Sequence, residues 1–102
     1  MNAPAIDRES VAALLRSVAA RASSARSVAV GSSYLSGEIT YSLDGWKVII
    51  FWDSDELDYV AEAQRPDGAR STFDDWYEYD GGDPLDLLTQ SEVDALDRAL
   101  RG

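Results

Sequence analysis

Val11, Leu14, Leu15, Val18, Ala19 and Ala22 recur at the spacing of one helical face, and Asp7 stands where an N-cap belongs. That pattern predicts a helix over residues 8–25. Its polar side carries Arg16, with Arg21 and Arg26 towards the C-terminal end, where cations interact favourably with the helix dipole. The period then changes from helical to alternating. Asp44-Gly45 separates two alternating runs, and a loop needing positive φ at both positions accommodates Asp-Gly at little cost, so a type I′ hairpin is predicted. The loop sets the register. Leu43 faces Trp46, Tyr41 faces Val48, Ile39 faces Ile50 and Gly37 faces Trp52, giving one sheet face that is apolar at nearly every position.

Residues 56–63 alternate again and predict a third antiparallel strand. With Trp52 opposite Leu57, strict alternation pairs Ile50 with Tyr59, Val48 with Ala61 and Trp46 with Ala63 on the core face. On the other face it pairs Lys47 with Glu62, Ile49 with Val60 and Phe51 with Asp58. Arg65-Pro66-Asp67-Gly68 is a tight-turn sequence, with a short edge strand Ala69 to Phe73 beyond it. An irregular aromatic-acidic stretch runs to Asp80, Gly81-Gly82 breaks the chain, and Asp83-Pro84 has the form of an N-cap followed by proline in a short helical turn. Thr89-Gln90-Ser91-Glu92 is a capping-box pattern that starts a helix with Val93, Leu96 and Leu100 on one side. The Ser-rich piece between Ser23 and Ser36 is a connection or a frayed strand around Val28 to Val30. The expected architecture is a single α+β domain over residues 1–102: an N-terminal helix, a three- to four-stranded antiparallel meander and a C-terminal helix.

Charge changes this picture. The chain has 102 residues and a formal net charge of −10, and its acidity is lopsided. Between Asp53 and Asp97 lie 15 of the 19 carboxylates against Arg65 and Arg70 alone, a sum of −13, whereas residues 1–26 carry four arginines against Asp7 and Glu9, a sum of +2. Such a field repels phosphate backbones and anionic membranes and favours encounter with a cationic protein. Direct nucleic-acid binding is not expected. The longest apolar run, Val48 to Trp52, is far too short to span a bilayer.

Zero cysteines and zero histidines remove thiolate chemistry, the commonest general base and the usual transition-metal ligands. The lack of cysteine also fits a reducing cytoplasm. A calcium loop starting at Asp53 would require an acceptor at Leu57, glycine at Asp58 and glutamate at Gln64, and fails at all three. No catalytic residue, cofactor or metal is expected.

Two clusters remain as candidates for binding. On the outer sheet face the expected register gathers Ile49, Phe51 and Val60 inside a ring of Glu38, Glu56, Asp58 and Glu62, an apolar centre with a charged rim. The run Phe73-Asp74-Asp75-Trp76-Tyr77-Glu78-Tyr79-Asp80 interleaves four aromatics with four carboxylates and offers anchors and acceptors to arginine-rich surfaces. A plainer reading stands beside each. The C-terminal helix or the Phe73 to Tyr79 segment would cover the outer face, and Phe73 and Trp76 would anchor a loop in the core.

The segment Gly45 to Tyr79, with its Gly-Trp strand, Asp-x-x-Glu-Leu-Asp-Tyr strand, Pro-Asp-Gly turn and Phe-Asp-x-Trp motif, resembles a small uncharacterised proteobacterial or phage domain family. The resemblance implies bacterial or phage origin and carries no catalytic residue across. Together these features predict a non-catalytic acidic protein-binding domain, monomeric or homodimeric. Its partner would be the basic, nucleic-acid-binding surface of a nuclease, toxin or nucleic-acid-binding complex, which it masks as antitoxin, immunity or anti-defence inhibitors do. Replacing Phe51 or Trp76 is expected to weaken capture without unfolding the domain. The alternative is a self-associating housekeeping domain whose acidity serves solubility.

Overall fold

The structure, a computed structural model, describes residues 3–21, 26–27 and 35–101. Helix α1 spans Arg8–Arg21 and opens where the sequence places its cap, with the Asp7 carboxylate accepting the Ser10 N–H at 2.8 Å. The expected continuation to residue 25 lies outside the described residues, as does the frayed strand at Val28 to Val30.

Five strands form one antiparallel sheet in chain order: β1 (Arg26–Ser27), β2 (Gly37–Leu43), β3 (Trp46–Asp53), β4 (Glu56–Gln64) and β5 (Arg70–Thr72). The β2–β3 hairpin has the expected register throughout, with φ of +52° at Asp44 and +85° at Gly45. Its inner face buries Ile39, Tyr41, Leu43, Val48, Ile50 and Trp52. The one polar pair in that set is mutually satisfied, Trp52 Nε1 donating to Tyr41 Oη at 3.0 Å.

The β3–β4 pairing departs from strict alternation. Trp52 does meet Leu57, but Phe51 then meets Tyr59, Ile50 meets Val60, Ile49 meets Glu62, Val48 meets Ala63 and Lys47 meets Gln64. Two shifts of register insert Asp58 and Ala61 as extra residues in β4. Each shift reverses which residue faces the core. Val60 therefore sits fully buried on the inner face, and Tyr59 takes the outer position that alternation assigned to its neighbours.

Beyond β5 the acidic-aromatic stretch is not irregular but helical: α2 spans Phe73–Asp80. Its start is capped, since the Asp75 carboxylate accepts both the N–H and the hydroxyl of Thr72, at 2.8 and 3.2 Å. Its end is Gly81, left-handed at φ +77°, whose N–H returns to the Tyr77 carbonyl. A 3₁₀ turn follows at Pro84–Leu87, capped by Asp83, and α3 spans Gln90–Arg101 with the expected Thr89–Glu92 capping box. Helix α1 packs on α3 and on the 3₁₀ turn, and Val11, Leu15, Val18, Leu85, Leu96 and Leu100 join the inner sheet face in one hydrophobic core.

Gly82 sits where two charged groups, Asp86 and Arg8, converge. A Cβ there would run into Asp86 Oδ2 and lie 3.1 Å from Arg8 Nη1, while Asp86 Oδ2 is already accepting the Asp83 N–H at 3.0 Å. Gly82→Ala is therefore expected to dislodge the capping carboxylate and cost about 1 kcal/mol. The check is a lower urea midpoint at unchanged slope; an unaltered midpoint would mean that Asp86 can be moved freely.

Candidate functional site

With both long helices on the inner face, the outer face of the sheet is met among the described helices by the start of α2, whose Phe73 lies against Tyr59. Its positions are Ser42, Lys47, Gln64 and Arg70 in one cross-strand row, Thr40, Ile49, Glu62 and Thr72 in the next, and Glu38, Phe51 and Tyr59 in the third. None of these is buried, whereas the alternate positions on β2 and β3 mostly are. The first row is its basic end, where Arg70 pairs with Glu62 of the second row at 2.9 Å.

The third row does not stop at the sheet. Phe51 stacks on Tyr59 with centroids 5.1 Å apart, Tyr59 meets Phe73 at 4.5 Å, and Phe73 stacks on Tyr77 at 5.5 Å. These separations lie in the favourable range for aromatic pairs, each worth about 0.5–1.5 kcal/mol beyond burial. The ladder exists because α2 begins at Phe73, which puts Tyr77 one turn further on the same face. Tyr77 is its open end, 56% exposed.

Carboxylates border both ends. Glu38 shares a row with Phe51, Asp58 is the inserted residue next to Tyr59, and on α2 Asp74 is the i−3 neighbour of Tyr77 with Glu78 one turn beyond Asp74. All four are exposed, and among the described residues none of them forms an ion pair. Elsewhere part of the charge is answered within the fold. Arg8 lies 3.6 Å from Asp80, Arg16 is 3.1 Å from Glu92, and Arg21 pairs with Asp44. The two-ended charge of the sequence is thus partly closed in space, and the four carboxylates at the ladder are among those that form no ion pair among the described residues.

Of the residues singled out from the sequence, Glu38, Ile49, Phe51, Asp58, Asp74, Tyr77 and Glu78 come together on this surface. Others have different employment. Val60 and Trp76 are wholly buried in the core. Asp75 caps α2, Asp80 meets Arg8, and Glu62 meets Arg70. Tyr79, 49% exposed, falls on the side of α2 away from Tyr77 by helical spacing. Glu56 turns towards a cleft of about 300 Å³ between β4 and α3, where Asp94 accepts from Gln90 and Asp97 pairs with Arg101. Tyr59 was missed as an outer-face residue, whereas Phe73 meets that face as the plainer reading of the Phe73 to Tyr79 segment expects. The signal was present: Leu57, Val60 and Ala63 are spaced by three, which a regular strand cannot place on one face and a bulged strand can.

Among the titrating groups, the Asp55 carboxyl is held below its usual range by the Leu35 N–H and then by Arg101, and that of Glu92 by the Thr89 N–H and then Arg16. Asp83 goes the other way, raised by burial. Among the described residues no three metal-ligating side chains are gathered into a site, and no helix is long and apolar enough to cross a membrane.

A family model described as a domain of unknown function, DUF7693, matches residues 5–102. The chain belongs to this family. The match takes in every described element of this DUF7693 domain, from the Asp7 cap of α1 through α3, and so extends well beyond the Gly45 to Tyr79 segment that carries the sequence resemblance. Neither a curated protein nor a solved structure matches the chain.

Proposed function

We propose that this domain is a non-catalytic binding module that docks on a basic surface of another protein and masks it from nucleic acid, as antitoxin, immunity or anti-defence inhibitors of bacteria and phages do. The observation that carries the reading is the ladder Phe51–Tyr59–Phe73–Tyr77, open to solvent at Tyr77, with carboxylates at its borders that form no ion pair among the described residues. Exposed charge alone gives little affinity, because water and salt screen it, whereas aromatic anchors that are desolvated on docking give much more. The net charge of −10 adds long-range steering towards a cationic partner. A cytoplasmic setting, where nucleases and nucleic-acid-binding complexes work, suits the cysteine-free chain.

The test is comparative capture from the cells that express the protein, with the wild-type domain and Phe51→Asp as paired baits. Phe51 is only half-buried, so the variant loses one stacking partner and is expected to stay folded, with capture weakened about tenfold or more. The wild type should enrich a basic protein, release its nucleic acid, and lose hold of it as salt rises. Equal enrichment by both baits, or a captured protein that keeps its nucleic acid, would sink the proposal.

A further inference from the structure

We infer that the open end of the ladder is a docking site for an arginine-bearing segment of the partner, with the guanidinium laid on the free face of Tyr77 and paired with Asp74 and Glu78; this rests on the binding reading above. Stacked rings use their negative faces on one another and present positive edges to solvent, so a cation is attracted to the end of a ladder and not to its side. The solvent-facing end is Tyr77, stacked on Phe73 at 5.5 Å and more than half exposed. Asp74 is its i−3 neighbour on α2, and Glu78 lies one turn beyond Asp74 on the same face of the helix.

Glu78 carries the second argument. It lies in the last turn of α2, where the helix dipole disfavours a carboxylate, and that turn holds no basic residue. Its neighbour in the same turn, Asp80, is answered by Arg8, but Glu78 forms no ion pair among the described residues. A group placed against a local rule, with no ion pair among the described residues to offset it, is characteristic of a functional position. A cation from outside supplies the offset.

Arginine fits better than lysine because a planar guanidinium can lie flat on a ring while donating to carboxylates in its own plane, which a tetrahedral ammonium cannot do. The fold already contains the arrangement. Arg101 lies 5.0 Å over the Trp52 ring while donating to Asp55 at 3.0 Å and pairing with Asp97.

Oligoarginine and oligolysine of equal length, titrated separately into the full-length protein at low salt, test the assignment by calorimetry. Oligoarginine should bind about tenfold more tightly, and Tyr77→Ala should bring the two peptides to the same affinity. Glu78→Lys should weaken oligoarginine binding and at the same time raise the thermal midpoint by about 2–5 °C, since the dipole then favours the new charge and Asp74 gains an i+4 partner. Equal affinity of the wild type for both peptides overturns the arginine assignment while leaving capture of a basic surface standing. Binding of neither peptide overturns both. A salt-sensitive homodimer that dissociates in Tyr77→Ala would make a second copy of this chain the occupant and would likewise overturn it.

Discussion

Trp76→Ala is expected to destabilise the domain by about 3–5 kcal/mol, the cost of removing a large buried aromatic and leaving a cavity. The indole is fully buried and tethers the chain entering α1: its Nε1 donates to the Ile6 carbonyl at 2.7 Å, and the Ile6 N–H donates to Ser71 Oγ at 2.8 Å. Ile6 is itself buried, so truncating Trp76 loosens a second core residue and the segment ahead of the Asp7 cap. For a domain whose total stability is of order 5–15 kcal/mol, that is a large fraction. Urea unfolding followed by circular dichroism measures it, and a midpoint within error of the wild type would show that the indole does not support the core. Trp76→Phe keeps most of the ring and loses the N–H, so its cost should be about 1–2 kcal/mol. Any loss of capture by Trp76→Ala follows from unfolding. Trp76 lies in the core and not on the outer surface where a partner would meet it, so Phe51→Asp is the clean probe of that surface.

Asp83→Ala is expected to cost about 2–4 kcal/mol, taking the orphaned donor and the lost cap together. Asp83 is 4% exposed, and its Oδ2 accepts the Val60 N–H at 2.8 Å and the Leu85 N–H at 3.4 Å. Among the described residues β5 ends at Thr72 opposite Glu62, so the earlier half of β4 has no strand on that side. The carboxylate stands in for the missing carbonyl. Asp83→Asn keeps an acceptor and removes the charge, and it separates the two contributions through pH. Burial first, and the nearby Asp86 in addition, raise the Asp83 pKa in the fold, although the hydrogen bonds from Val60 and Leu85 oppose them.

A raised carboxyl binds its proton more tightly in the folded than in the unfolded chain. The stability it contributes is complete below the ordinary carboxylate value of about 4 and is lost as pH rises through the folded value. The Asn variant lacks that slope, so it should gain on the wild type as pH rises from about 4 and then keep a constant margin. Asp55 and Glu92, both lowered, contribute in the opposite sense and lose stability on acidification, but they are common to the two proteins and cancel in the difference. Urea midpoints of both proteins across this range decide it. A flat difference would mean that Asp83 titrates as it does in the unfolded chain.

Local chemistry accounts for what was legible in advance. Asp44-Gly45 sets the hairpin register because few residue pairs tolerate positive φ twice in succession, and every β2–β3 pair follows from that turn. Asp7, Asp83 and the Thr89–Glu92 box mark helix starts because their side chains satisfy N–H groups within three residues of themselves. The alternation of β2 and β3 likewise identifies the core face, since only one set of positions can be removed from water.

Tertiary structure alone decided the rest. The bulges in β4 depend on how the chain packs on both sides of it: Val60 turns inward against the helices, its N–H meets Asp83, and Tyr59 is released to the outer face. The same packing draws Trp76 into the core, brings Arg8 and Arg16 onto Asp80 and Glu92, and lines up Tyr59 and Phe73 from separate elements into one ladder. Residue order determined where each element starts and which way the hairpin faces, because those choices are made within a few bonds. Which acids remain unpaired and which rings meet was settled by groups far apart in the chain, whose distances exist only once it has folded.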